Sequence, residues 1–159
     1  MLVTDYMSRP VLTGQPQTEF HLAHALMRHR DIHHLPVVEA GRIVGIVAER
    51  DLLLAAAHFG SAHVPLSEIM RSPVECVSVR STLMSAARKL VVKRIGSLPV
   101  VDAKRQLVGI ITETDIFKAM AEMAWLRKKT AIARKPAGAA RKKIGKPPRK
   151  AAAKRRAKK

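Results

Sequence analysis

Sliding the chain along itself by 63 residues brings two halves into register. Met7 falls on Met70, Pro10 on Pro73, Ala23 on Ala86 and Ile32 on Ile95. Leu35-Pro36-Val37-Val38 falls on Leu98-Pro99-Val100-Val101. One inserted residue then moves the offset to 64. Gly45-Ile46 now meets Gly109-Ile110, Glu49 meets Glu113 and Asp51 meets Asp115. A duplication of this kind fixes the architecture before any single motif does. Copies of about 60 residues are small for a stable core of their own. Two of them are therefore expected to pack on one another across a pseudo-two-fold axis.

Each copy carries the same order of patterns. A short extended piece comes first, Val11-Leu12-Thr13 or Cys76-Val77-Ser78-Val79. Thr18 and Ser81 then read as helix N-caps. Leu22, Ala23, Leu26 and Met27 recur at helical spacing, as do Leu83, Ala86, Ala87 and Leu90. A β-branched strand ending in Pro-Val-Val leads through a polar turn to a second strand, Ile43 to Val47 or Leu107 to Ile111, and each pair reads as a hairpin. A closing helix starts at Glu49 and runs to about His58, or starts at Glu113 and runs into Ala124. The fold class expected is α+β, with two β-α-β-β-α repeats over residues 1–62 and 63–126.

The remaining residues, 127–159, differ in kind. Of the 30 Lys and Arg in the chain, 14 lie in residues 1–126 beside all 12 Asp and Glu. The other 16 lie in residues 127–159, with no acid. Arg127, Lys128, Lys129, Arg141, Lys142, Lys143, Lys154, Arg155 and Arg156 are among them. Ile132 and Ile144 are the only large apolar residues there, too few to offset the cost of ordering a self-repelling segment. A disordered basic tail is expected, similar to the tails of linker-histone-like bacterial proteins. Counterion release would let it bind nucleic acid without sequence preference. It has no apolar face to insert into a membrane.

Three other classes are excluded. Cys76 is the sole cysteine, so no intrachain disulfide framework exists. The longest apolar run, Leu52 to Ala57, falls far short of the roughly 20 residues a spanning helix needs. Met1-Leu2-Val3-Thr4-Asp5 lacks the basic and apolar regions of a secretory signal, so a cytoplasmic location is expected, with nucleoid association if the tail binds DNA.

Two segments resemble a known family. Ile32-His33-His34-Leu35-Pro36-Val37-Val38 with Gly45-Ile46-Val47-Ala48-Glu49-Arg50-Asp51 looks like one cystathionine-β-synthase (CBS) motif. Ile95-Gly96-Ser97-Leu98-Pro99-Val100-Val101-Asp102 with Gly109-Ile110-Ile111-Thr112-Glu113-Thr114-Asp115 looks like a second. The ordered set, present twice at matching spacing, is specific where no tetrapeptide within it is. The resemblance implies a tandem pair, or Bateman module, that senses adenosine-containing ligands such as AMP, ADP, ATP or S-adenosylmethionine. It implies frequent homodimers. It does not imply an enzyme.

Thr112 and Asp115 flank the start of a helix, and by local pattern alone they form a cap. The resemblance assigns them to the ligand's ribose, whose vicinal hydroxyls a carboxylate can accept. One threonine can do both. In the first repeat Asp51 remains, but Ala48 stands where the family has a hydroxyl, so a weaker site is expected there. The resemblance also brings the residues before Leu-Pro-Val of one repeat to the other repeat's aspartate. That places His33 and His34 near Asp115, and Gly96 and Ser97 near Asp51, with Arg30, Arg50 and Arg94 as further cations. Edge-strand polarity is the alternative for the two histidines.

His21 and His24 share a helix face, but a metal site needs a third ligand, and none is expected. No nucleophile–base pair or phosphate-binding glycine loop is present, so catalysis is not expected. Phe117 and Trp125, eight residues apart on one helix face, suit either a dimer contact or the core. The favoured expectation is a non-enzymatic sensor of an adenosyl ligand with a nucleic-acid-binding tail. The alternatives are a nucleic-acid-binding protein whose repeat pair only dimerises it, and a regulator of a protein partner.

Overall fold

The computed structural model describes residues 1–133. The chain divides into two units, Met1–Ala124 and Trp125–Lys159. The first holds nearly all the secondary structure. Helix α1 (Phe20–His29) leads to strands β1 (His34–Glu39) and β2 (Arg42–Ala48) and helix α2 (Glu49–Phe59). Strand β3 (Val77–Ser78), helix α3 (Leu83–Lys93), strands β4 (Ser97–Val101) and β5 (Leu107–Thr112) and helix α4 (Glu113–Ala133) follow.

The duplication is visible in backbone detail. Each hairpin is antiparallel, with a register shift at the second valine of Pro-Val-Val, between Val37 and Val38 or between Val100 and Val101. Gly45 lies opposite Val37, and Gly109 opposite Val100. These glycines make room for a methionine: a Cβ at Gly45 would collide with Met70 Sδ, and one at Gly109 with Met7 Sδ. The first hairpin turns on Ala40 and Gly41, both at positive φ, the backbone a two-residue turn requires.

Four sequence expectations are corrected. Val11-Leu12-Thr13 forms no strand; its neighbour Gly14 makes only an isolated parallel bridge to Val37. Thr18 does not cap α1, because its hydroxyl accepts from the Gln15 amide and Glu19 precedes the helix instead. Ser81 does not cap α3 either: Thr82 does, accepting from the Ser85 amide, while Ser81 Oγ accepts from Ser78. The closing helix α4 also runs past residue 126 to Ala133, so the tail's first residues are helical. Within the second unit, Lys129 Nζ lies 5.1 Å over the Trp125 ring. Residues 134–159, with Arg141, Lys142, Lys143, Lys154, Arg155 and Arg156, lie outside the described residues.

Two cores form, one per repeat. Phe20, Met27, Leu35, Val47 and Leu52 build the first, and Leu90, Leu98, Val100, Ile111 and Ala119 the second. Each borrows from across the expected 62/63 boundary. Val3 and Met7 pack in the second core, while Val64 and Leu66 pack in the first. The Val3 amide donates to Ser81 O and the Leu83 amide to Met1 O, which pins the N-terminal segment to the start of α3.

Candidate ligand cleft at the strand–helix junctions

Each repeat ends its hairpin directly in a helix, and each junction carries an aspartate at the third helical position. At the second, the amide and hydroxyl of Thr112 both donate to Asp115 Oδ2, at 2.9 and 2.8 Å. Asp115 is buried, so its carboxylate is held within the cap itself. At the first junction Ala48 supplies only its amide, which donates to Asp51 Oδ2 at 3.2 Å. No side-chain donor replaces the hydroxyl at Oδ2 among the described residues, but the other carboxylate oxygen is engaged. Arg71 Nη2 donates to Asp51 Oδ1 at 3.0 Å.

An open cleft of about 170 Å³ lies at this first junction. It is lined from both repeats: Ala48, Arg50 and Asp51 on one side, Arg94, Ile95, Gly96 and Ser97 on the other, with His34, Arg71, Pro73, Val74 and Glu75. Asp51, His34 and Arg94 are thus brought together, with Gly96 and Ser97 beside them. Thr112, Asp115 and His33 do not line it. His33 turns to its own repeat, its Nδ1 2.8 Å from Glu49 Oε2. A wider depression between the hairpin ends, near Val38, Gly41 and Gln106, has no charged lining residue.

His34 sits where the repeats meet. A Cβ on Gly96 would stand 2.9 Å from His34 Nε2, so a side chain here would push the imidazole aside. The Gly96 carbonyl in turn accepts from the Glu113 amide at 3.2 Å, at the start of α4. Burial pushes the His34 imidazole below its ordinary pKa of 6.5, and His33 adds to this. Glu113 and Asp51 oppose the shift. Bound anionic charge would favour the imidazolium further.

Charge in the cleft is unequal. Arg50 and Arg94 make no salt bridge among the described residues. Glu75 is already held by Lys89 Nζ at 2.7 Å and Lys93 Nζ at 2.9 Å, which pulls its carboxyl down to about 2. Cys76 is half-buried, and burial raises its thiol pKa, as suits a small apolar residue. Among the described residues no group of three or more His, Cys, Asp or Glu is placed to hold a metal ion. No described helix is long and apolar enough to cross a membrane.

Arg71 and Glu75 were not singled out from the sequence. The signal was present in the repeat register: Arg71 pairs with Ile46 as Ser8 pairs with Ile110, an arginine matched to a serine.

Two α+β repeats, each with an aspartate at its strand–helix junction, and a cleft lined from both define a tandem-repeat module. The CBS domain model matches residues 3–58 and 66–122, and the chain belongs to the CBS domain family. It is 30% identical to the CBS domain pair of protein MJ0100, solved in complex with 5′-methylthioadenosine and S-adenosyl-L-methionine. That match covers 77% of this chain and 98% of the other, with a TM-score of 0.72. Arabidopsis thaliana CBSX2, solved in complex with AMP, is 26% identical, with a TM-score of 0.68 over 77% of this chain and 98% of that one. The uncharacterized protein MJ1225 of Methanocaldococcus jannaschii is 31% identical over 76% of this chain. The chain spans 47% of the length of that relative, about half.

Proposed function

We propose that this chain is a non-enzymatic regulatory protein that binds an adenosine-containing ligand between its two CBS repeats. The observation that carries the proposal is the Asp51 cleft, built from both repeats around a carboxylate that a ribose diol can engage. Thr112 and Asp115, with His33 and His34 on the opposite repeat, form the second half-site in this reading. Similarity to CBS pairs solved with AMP, 5′-methylthioadenosine and S-adenosyl-L-methionine supports the ligand class. AMP, ADP, ATP and S-adenosylmethionine are its candidate members, acting as regulatory ligands rather than obligatory cofactors. Calorimetric titration of the full chain with AMP, ATP and S-adenosylmethionine tests it, beside Asp51→Ala and Asp115→Ala. Saturable binding lost in one of these variants is expected. No heat and no thermal stabilisation with any of the three would leave the pair as a dimerisation scaffold.

A homodimer is part of the proposal. Leu53 on α2 and Phe117 and Met120 on α4 are large apolar side chains left 52%, 68% and 55% exposed, so Phe117 does not serve this chain's core. The basic residues 127–159 would tether a cytoplasmic sensor to nucleic acid, including the nucleoid. Their charge supports this: 16 cations and no acid. A steep linear fall of log affinity for duplex DNA with log salt is the expected result, and a flat dependence would remove the tether. With DNA binding but no nucleotide binding, the alternative of a nucleic-acid-binding protein would stand instead.

A further inference from the structure

The two strand–helix junctions are alike in backbone and unequal in charge. In the repeat register Arg50 matches Thr114, Arg71 matches Ser8 and Arg94 matches Asp31. The matches are structural as well as sequential. Ser8 bridges Ile110 as Arg71 bridges Ile46. Asp31 and Arg94 both stand in the left-handed region after their helices, and the amides that follow them bond alike, Ile32 to Met27 O and Ile95 to Leu90 O. Three arginines therefore line the Asp51 cleft, and none stands at the corresponding positions of the Asp115 junction.

Arg71 is the one that touches the carboxylate. Its bond to Asp51 Oδ1 occupies an oxygen that a ribose diol would need, while Oδ2 accepts from Ala48. The Arg71 side chain is 57% exposed and Asp51 12%, so water reaches the guanidinium more than the carboxylate. A ligand can displace Arg71 from Asp51 only by giving the guanidinium another partner. A phosphate does so, with charge-assisted and bidentate geometry. A neutral nucleoside offers none, and must compete with Arg71 for Asp51. Glu75 does not repel the phosphate strongly, since Lys89 and Lys93 already pair with it.

We propose that Arg71 makes the Asp51 cleft selective for anionic adenine nucleotides, by closing on Asp51 when the cleft is empty and passing to the ligand's phosphate when it is filled. This rests on the ligand class proposed above, and it adds the charge of the ligand and the residue that selects it.

The test is titration of the full chain with AMP and with adenosine, in wild type, Arg71→Gln and Arg71→Lys. Any binding of phosphate by the basic C-terminal residues is common to all three proteins and cancels in the comparison. Wild type is expected to prefer AMP. In Arg71→Gln the AMP affinity is expected to fall on the order of tenfold, a loss of about 1.4 kcal/mol, while adenosine affinity holds or rises. Arg71→Lys, which keeps the charge but not the fork, is expected to keep part of the preference. An AMP-to-adenosine ratio unchanged in Arg71→Gln overturns the selector and leaves the adenosyl sensor standing. A wild type that binds neither ligand overturns both.

Discussion

Asp31 and Arg94 hold the same left-handed backbone, φ 51° and 53°, at the same place in their repeats, and carry opposite charges. A non-glycine residue pays about 1–2 kcal/mol for that conformation. Arg94 lines the cleft, so the strain sits beside a cation the cleft uses. Arg94→Gly is expected to raise stability by about 0.5–1 kcal/mol after allowing for the freer unfolded chain. The same change should weaken AMP binding. Urea denaturation and a nucleotide titration on one variant check the opposite signs, and a loss in both would show that Arg94 packs rather than binds.

Gly45 and Met70 form a tight pair, repeated as Gly109 and Met7. Gly45→Ala should cost about 1–3 kcal/mol, because the methionine side chain must move out of its groove. Gly45→Ala combined with Met70→Ala should cost less than the sum of the two single changes. A double-mutant cycle by chemical denaturation measures that coupling. Strict additivity would mean the contact carries no strain.

The first junction lacks a hydroxyl that its backbone is shaped to use. Ala48 stands at φ −100° and ψ 154°, extended as an N-cap requires. Ala48→Thr should stabilise α2 by about 1 kcal/mol. It should also tighten ribose binding at Asp51, which the same calorimetry reads. Stabilisation without tighter binding would confine the hydroxyl to capping.

Glu75 links the cleft wall to α3 through Lys89 and Lys93. Its folded-state pKa of about 2 lies below the ordinary 4.5. These ion pairs therefore add stability above pH 4.5 and lose it as pH falls from 4.5 towards 2. A wild type more stable than Glu75→Gln at neutral pH should converge on it over that window. Melting curves across the range, or a carboxyl titration by NMR, provide the check. The pair is exposed, so the difference should be small and should shrink with salt.

Deleting residues 1–7 removes Val3 and Met7 from the core of the second repeat, although they lie at the far end of the sequence from it. Hydrogen exchange should speed in α3 and β4 and change little in α1. Equal loosening of both repeats would show that they unfold as one.

Much of this was legible from the chain. The register at 63 and 64, the two hairpins and the starts of α2 and α4 follow from hydrophobic spacing, and the family follows from two ordered motifs. What was not legible is long-range or competitive. Thr18 and Ser81 are plausible caps, but their hydroxyls have nearer amides to serve, at Gln15 and Ser78. Charge alone reads the segment 127–133 as disordered. Lys, Arg and Ala are also strong helix formers, and the backbone there continues α4. Ala48 argued against the Asp51 site and Thr112 for the other. Yet the described cleft lies at Asp51, where the connecting segment delivers an arginine that no local pattern predicts.

The exchange of segments between the two cores bears on how such a chain could arise. Residues 3–7 serve the repeat that follows, and residues 64–70 serve the one before, each at the matching place. Half of this chain, standing alone, would hold out an arm with no groove of its own to receive it. Two such halves would satisfy one another by trading arms, as an interlocked pair of separate molecules. Joining them end to end turns that trade into an internal one, at an effective concentration in the millimolar range. Each half thereafter is free to drift in charge, because its partner can never again be a copy of itself.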